Sequence, residues 1–109
     1  MQNWLFLCSK NKLRSPTAEA VFADMVGLEV ESAGLDHDAE EPVGPEQLRW
    51  ADVVFVMEKA HRQRLNRRFR QHLRDTRVVV LNIPDRYAYM DPELVALLER
   101  RCRPYVRRR

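Results

Sequence analysis

The sequence predicts an α/β fold, a three-layer arrangement with a four-stranded parallel sheet in the order 2-1-3-4 and helices on both faces. Three observations carry that expectation. Short apolar runs alternate with stretches of helical period along the chain. Two of the runs, Ala51 to Met57 and Arg77 to Ile83, are almost continuously apolar, as strands covered on both faces must be. Two Pro-marked starts, Ser15-Pro16 and Asp91-Pro92, open amphipathic stretches.

Taken in order, Asn3 to Leu7 reads Asn-Trp-Leu-Phe-Leu and ends at a polar loop, which predicts a buried first strand. Ser15 is expected as N-cap of the first helix with Pro16 at its first position. Ala18, Val21, Phe22 and Met25 would form its apolar face and Gly27 would close it. Leu28 to Ser32 alternates like a half-exposed edge strand, Asp36 to Gly44 is a loop, and Pro45 to Trp50 makes one or two helical turns. The third strand is Ala51 to Met57. A thin helical pattern follows from Glu58 to Arg74, with the stripe Leu65, Phe69 and Leu73. Arg77 to Ile83 is the fourth strand and Pro84 to Met90 a loop. From Asp91-Pro92 a last helix places Leu94, Val95, Leu98, Cys102 and Tyr105 on one face. With the second strand at an edge and the first and third central, the sheet order reverses beside the first strand. Open parallel sheets bind ligands at such a point.

The 109 residues are expected to make one domain, residues 1–109, with a single modest core. No apolar run approaches a membrane span, the first residues are too weakly apolar for a signal peptide, and two cysteines are too few for a disulfide framework. The expected location is the cytoplasm, with no membrane partner. Nineteen Lys and Arg oppose sixteen Asp and Glu, a formal net charge of +3, but unevenly. Asp36 to Glu46 holds five carboxylates and no base, whereas Lys59 to Arg77 holds eight bases against Asp75. Few aromatics interleave that basic run, so a solvated helix face is expected rather than a nucleic-acid platform.

The segment from Cys8 to Pro16, Cys-Ser-Lys-Asn-Lys-Leu-Arg-Ser-Pro, leaves the first strand and opens the first helix. Backbone N–H groups and a helix N-terminus favour an anion there. A thiol six positions before Arg14 in a loop that curls back can face the phosphate that the guanidinium grips as a fork. The helix N-terminus, the loop amides, Arg14 and Ser15 favour thiolate over thiol, so Cys8 is expected to act as a nucleophile.

These residues, Cys8-x-x-Asn11-x-x-Arg14-Ser15-Pro16 with Ala18-Glu19-Ala20, resemble the phosphate-binding loop of the low-molecular-weight protein tyrosine phosphatases. The resemblance continues at Glu31-Ser32-Ala33-Gly34, at Trp50 to Met57 and at Ile83-Pro84-Asp85. It implies the phosphotyrosine phosphatase I-like fold and hydrolysis of phosphate monoesters, with protein phosphotyrosine the expected substrate. The route would be a cysteinyl-phosphate intermediate, with no cofactor and no metal. Carried over, Cys8 is the nucleophile and Arg14 binds phosphate and stabilises the transition state. The phosphate-binding loop is Cys8, Ser9, Lys10, Asn11, Lys12, Leu13, Arg14 and Ser15, with Asn11, Ser15 and Ser32 as its supporting network. Inorganic phosphate or sulfate would occupy the same loop.

The chain departs from the family's usual pattern at Lys10, where Gly is usual, and at Leu13, where many members have a second, protective Cys. It is also much shorter between Gly34 and Pro45. The substrate wall must then come from Tyr87 and Tyr89, or the site is open.

Both Asp85 and Asp91 follow the fourth strand. Asp91 precedes Pro92 and a helical stripe, which assigns it to capping, so Asp85 is expected as the acid that protonates the leaving oxygen and then activates water. Arg86 stands beside Asp85 and could pair with it. Cys102 is expected in the core, Trp4 and Trp50 likewise, and His37 and His72 on the surface. His61, near the first turn of the helix after the third strand, is expected to cap or pack, with the site mouth as the alternative. Two other functions remain open: a phosphate- or nucleic-acid-binding module with catalysis weak or lost, and arsenate reduction. The latter needs shuttling thiols that Cys102 is poorly placed to supply.

Overall fold

A computed structural model describes residues 1–73 and 75–106. Four strands, β1 (Gln2–Cys8), β2 (Leu28–Gly34), β3 (Val53–Val56) and β4 (Arg77–Val80), form one sheet in the order β2-β1-β3-β4. Every pairing is parallel. Four helices, α1 (Arg14–Phe22), α2 (Pro45–Trp50), α3 (Lys59–Phe69) and α4 (Pro92–Cys102), connect and cover it, with 3-10 turns at Arg70–His72 and Arg103–Tyr105. No helix among the described residues is long and apolar enough to cross a membrane. The expected sheet order is the observed one.

The period-2 alternation of β1 divides the apolar residues between two cores. Trp4, Phe6 and Cys8 point to one face with Phe55, where Ala18 and Phe22 of α1 and Leu94, Leu98 and Cys102 of α4 cover them. Leu5 and Leu7 point to the other with Val54 and Val56, under Leu48 of α2 and Leu65 and Phe69 of α3. The first core is aromatic. Trp4 meets Phe55 edge-on at 4.7 Å between centroids, and Phe6 stacks on Phe55 at 5.0 Å. The Trp4 indole N–H is buried there without a partner among the described residues. Trp50 is half-buried against the second core.

Several boundaries differ from the sequence expectation, for identifiable reasons. Ser15 is not the N-cap: α1 begins at Arg14, after Leu13, and Ser15 is buried inside the first turn. Its hydroxyl has tertiary partners, described below, that outcompete the local cap. Helix α1 stops at Phe22 rather than running to Gly27, so Met25 lies outside the helix, 38% exposed. The chain must turn early to bring Leu28 beside Gln2, and Gly27 supplies that turn at φ +83°. Helix α3 ends at Phe69, short of Arg74, which lies outside the described residues. Strands β3 and β4 are shorter than their apolar runs. The hydrogen bonding nonetheless continues past them, from Leu81 N–H to the Val56 carbonyl and from Ile83 N–H to that of Met57. Asp91 caps α4, its carboxylate accepting from Glu93 N–H at 2.9 Å, as expected.

The C-terminal end of β1 fixes the site. Cys8 pairs with Gly34, and the segment after each strand folds against the other. A Cβ on Gly34 would collide with Ala39 Cβ and lie 2.8 Å from the Ser9 carbonyl oxygen, a backbone atom that cannot swing away. Gly34→Ala is expected to destabilise the fold by about 1–3 kcal/mol, the usual magnitude of overpacking. Urea unfolding of the two proteins measures it. An unchanged midpoint would mean that the loop after β1 yields easily.

Candidate active site

The loop between β1 and α1 turns its carbonyls outward. Those of Cys8, Ser9 and Lys10 accept from the N–H groups of Leu35, Asp36 and Glu40 at 2.9, 2.9 and 3.3 Å. Among the described residues, no N–H of residues 9–13 donates to a backbone carbonyl. Donors left without a backbone acceptor, just before a helix N-terminus, suit an anion. Asn11 lets the loop turn at φ +57°, a left-handed conformation that Asn tolerates. Asn11 is also buried, and its Oδ1 accepts from Ser15 Oγ at 3.2 Å.

Ser15 Oγ lies 2.7 Å from Cys8 Sγ. One hydroxyl proton thus faces two acceptors, Asn11 Oδ1 and the sulfur. A protonated thiol can donate to Ser15, whose proton then goes to Asn11; a thiolate takes the Ser15 proton itself. Of the expected supporting residues, Asn11 and Ser15 meet Cys8 directly. Ser32 stands one step away, donating to Glu19 Oε1 of α1 at 2.7 Å, in a cavity behind the loop that Asn11 also lines.

Arg14 is only 4% exposed, and a buried guanidinium requires partners. Its Nη1 donates to Glu58 Oε2 at 2.6 Å and to the Ile83 carbonyl at 2.7 Å. Its Nε lies 3.7 Å from Asp85 Oδ1. With Nη1 doubly committed, the Nε–Nη2 edge is the one presented for a forked contact. A pocket of about 140 Å³ is lined by Cys8, Ser9, Lys10, Lys12, Leu13, Arg14 and Asp85. It therefore gathers the thiol, the clamp and the carboxylate expected as acid. Arg86 turns away from Asp85, its guanidinium 5.4 Å from the Tyr87 ring centroid and donating to the Tyr87 hydroxyl. Neither Tyr87, buried in the first core, nor Tyr89, 53% exposed, lines the pocket. The site is thus open at its mouth, the arrangement the sequence left as the alternative to a tyrosine wall.

A second layer holds the loop from outside. His61 both caps and reaches the site loop: its Nδ1 accepts from Glu58 N–H at 3.1 Å, so its Nε2 carries the proton directed at Ser9 Oγ, 3.3 Å away. Arg64 Nη1 donates to the same oxygen at 3.1 Å and pairs through Nη2 with Asp36. Lys10 pairs with Asp36 at 3.2 Å and Asp38 at 2.7 Å. Arg68 donates to the Leu35 carbonyl. The expectation of a solvated basic face is corrected for Arg64, which is half-buried and drawn onto the segment beside the loop, whereas Arg68 reaches that segment while remaining exposed. Arg62, Arg67 and Arg70 are exposed. Glu58 and Asp36 are partners of the loop and of Arg14 that the sequence did not reveal. The only signal was their place after β3 and β2, at the sheet's C-terminal edge.

The charges follow these contacts. The Arg64 hydrogen bond, with Lys10 behind it, holds the Asp36 carboxyl below its ordinary value. Asp38, then Asp36, raise the Lys10 ammonium. Burial and the nearby Arg14 charge lower the His61 imidazole below its ordinary 6.5. Geometry agrees, since a proton on Nδ1 would face the Glu58 N–H. Cys102 is fully buried and its thiol is pushed up to about 12 by burial alone.

The unfolded chain thus takes up the His61 proton more readily than the folded one. Its contribution to stability is complete above pH 6.5 and declines as the pH falls from there toward the lower folded value. Melting temperatures recorded from about pH 5 to 8 should fall on the acid side, and His61→Gln should flatten that limb. The Asp36 pair weakens only below the carboxylate range and does not overlap this window.

Neither a family model nor a curated protein matches the chain. Solved structures do. YwlE arginine phosphatase from Geobacillus stearothermophilus superposes with a TM-score of 0.77 at 21% identity, over 96% of this chain and 93% of that one. The tyrosine phosphatase Wzb from Escherichia coli K30, in complex with phosphate, gives 0.74 at 20% identity, over 95% of each chain. SP-PTP, a low molecular weight protein tyrosine phosphatase from Streptococcus pyogenes, gives 0.77 at 18%, over 96% and 91%. At such identities the likeness speaks for architecture, and the architecture that carries Cys8 and Arg14 here is the low-molecular-weight protein tyrosine phosphatase fold.

Proposed function

We propose that this chain, as one domain over residues 1–109, is a cysteine-dependent phosphatase of phosphate monoesters, with phosphotyrosine in proteins as its substrate. The observation that carries the reading is one small pocket lined by Cys8, Arg14 and Asp85. With two free cysteines, a reducing compartment, the cytoplasm, suits it.

In this reading the loop amides and the Nε–Nη2 edge of Arg14 bind the phosphoryl oxygens, and no metal or cofactor is needed. Cys8 Sγ attacks phosphorus, the S–P bond forms and the P–O bond to the leaving group breaks. Asp85 gives its proton to that oxygen. Water then gives a proton to Asp85 and attacks phosphorus; the S–P bond breaks and phosphate leaves. The Ser15 hydroxyl, 2.7 Å from sulfur, can donate to it whenever it is anionic, at the start and again as it departs. Glu58 and the Ile83 carbonyl keep the guanidinium from following the substrate out. Support comes from related folds: Wzb is solved with phosphate and with sulfate, and a cysteine-to-serine mutant of YwlE carries a phosphorylated active-site serine. Arsenate reduction is disfavoured by the complete burial of Cys102, which keeps it from serving as an accessible shuttling thiol. A binding module without turnover predicts no hydrolysis and steeply salt-dependent association with oligonucleotides.

Turnover of a chromogenic aryl phosphate by the wild-type protein, in the presence of a chelator, tests the reading. Cys8→Ser should lower it by several orders of magnitude while vanadate binding persists, and Arg14→Lys should fail because an ammonium cannot make the forked contact. Retention of about a tenth of the activity in Cys8→Ser would falsify the nucleophile assignment. Asp85→Asn should cost about two orders of magnitude on phenyl or alkyl phosphates and less where the leaving group needs no proton. Asp91→Asn should keep activity, losing at most about 1 kcal/mol of stability, because Asn also caps. The opposite outcome exchanges the two roles.

A further inference from the structure

We infer that Lys12 makes this site select phosphotyrosine carried on an acidic peptide segment. The inference rests on the phosphatase reading above and concerns what surrounds the transferred group.

Of the three cations that line the pocket, Lys10, Lys12 and Arg14, two have carboxylate partners. Arg14 takes Glu58 and approaches Asp85; Lys10 takes Asp36 and Asp38; Arg64 takes Asp36. Lys12 lines the pocket, is exposed, and has no ion pair among the described residues. Its ammonium is therefore the uncommitted charge at the mouth. Two further exposed cations stand next to the residues that meet Arg14: Lys59 follows Glu58 and Arg86 follows Asp85.

Size decides what that charge meets. A pocket of about 140 Å³ has room for a phosphoryl group and at most about one aromatic ring, and neither Tyr87 nor Tyr89 lines it. The rest of a substrate then lies across the open mouth, beside Lys12 and the 39% exposed Leu13. On a peptide, the side chains flanking the phosphorylated residue reach that rim. A carboxylate there gains an ion pair that costs the protein none of its own, whereas a Lys or Arg there meets like charge. The transferred phosphoryl group is held by the amides and Arg14 in every substrate, so Lys12 discriminates through the flanks.

The experiment compares kcat/KM for phosphotyrosine peptides of equal length with acidic, neutral or basic flanks, with end-capped phosphotyrosine and an aryl phosphate as references. The wild-type protein should favour the acidic over the basic peptide by about five-fold or more at low salt, narrowing as salt rises. That ratio should fall toward unity in Lys12→Ala, invert in Lys12→Glu and return in Lys12→Arg, whatever happens to the absolute rate of each variant. Equal rates on all flanks, equal rates on capped phosphotyrosine and the acidic peptide, or a ratio that Lys12→Ala and Lys12→Glu both leave untouched would each overturn the inference while the phosphatase reading stands. Absence of hydrolysis even of the aryl phosphate overturns that reading and this one with it.

Discussion

The buried guanidinium of Arg14 is the interaction on which the site depends. Three strands deliver its surroundings: Cys8 ends β1, Glu58 follows β3, and Ile83 and Asp85 follow β4. A charge this buried is costly unless paired, by several kcal/mol in general, so the segments bearing its partners cannot drift without penalty. The parallel sheet brings all three C-terminal ends to one edge, and Arg14 ties them together there. In the proposed reaction, a group held so rigidly before substrate arrives would need little reorganisation to meet developing charge on a phosphoryl oxygen.

The loop itself is a shape that a short chain segment would not hold alone. It needs Asn11 in a left-handed conformation, three carbonyls turned outward, and a close approach that only Gly34 permits. The segment after β2 supplies the compensation, with N–H groups from Leu35, Asp36 and Glu40. Lys10 stands at a position where its family resemblance leads one to expect Gly, yet the positive φ falls on Asn11, and the Lys10 side chain is held by Asp36 and Asp38. The short acidic stretch thus serves as a brace for the loop, with two of its five carboxylates, Asp36 and Asp38, pairing with Lys10 and Arg64.

The same brace explains the uneven charge of the sequence. Asp36 and Asp38, between β2 and α2, meet Lys10 of the loop and Arg64 of α3, while Lys12, which lines the pocket, has no ion pair among the described residues. Ser9 Oγ, approached by both His61 Nε2 and Arg64 Nη1, joins the brace to α3. The buried His61 serves in its neutral form, which preserves both the cap on Glu58 and the contact to the loop.

The sequence by itself determined the features that depend on neighbours in the chain. The short apolar run of β1 told that this strand is buried, because a strand covered on both faces has no side left for polar residues. Asp91 before Pro92 told its own capping role, since donor and acceptor lie two residues apart. The spacing of Cys8 and Arg14 marked a loop that could face an anion. Tertiary structure alone decided the rest. Ser15 was free to cap α1 locally but is claimed by Cys8 and Asn11. Glu58 reaches Arg14 across 44 positions, His61 reaches Ser9 across 52, and Arg64 reaches it across 55. Periodicity records whether a side chain is buried and says nothing about which distant charge it meets. That choice is made by the strand order, which sets loops far apart in sequence side by side at one end of the sheet.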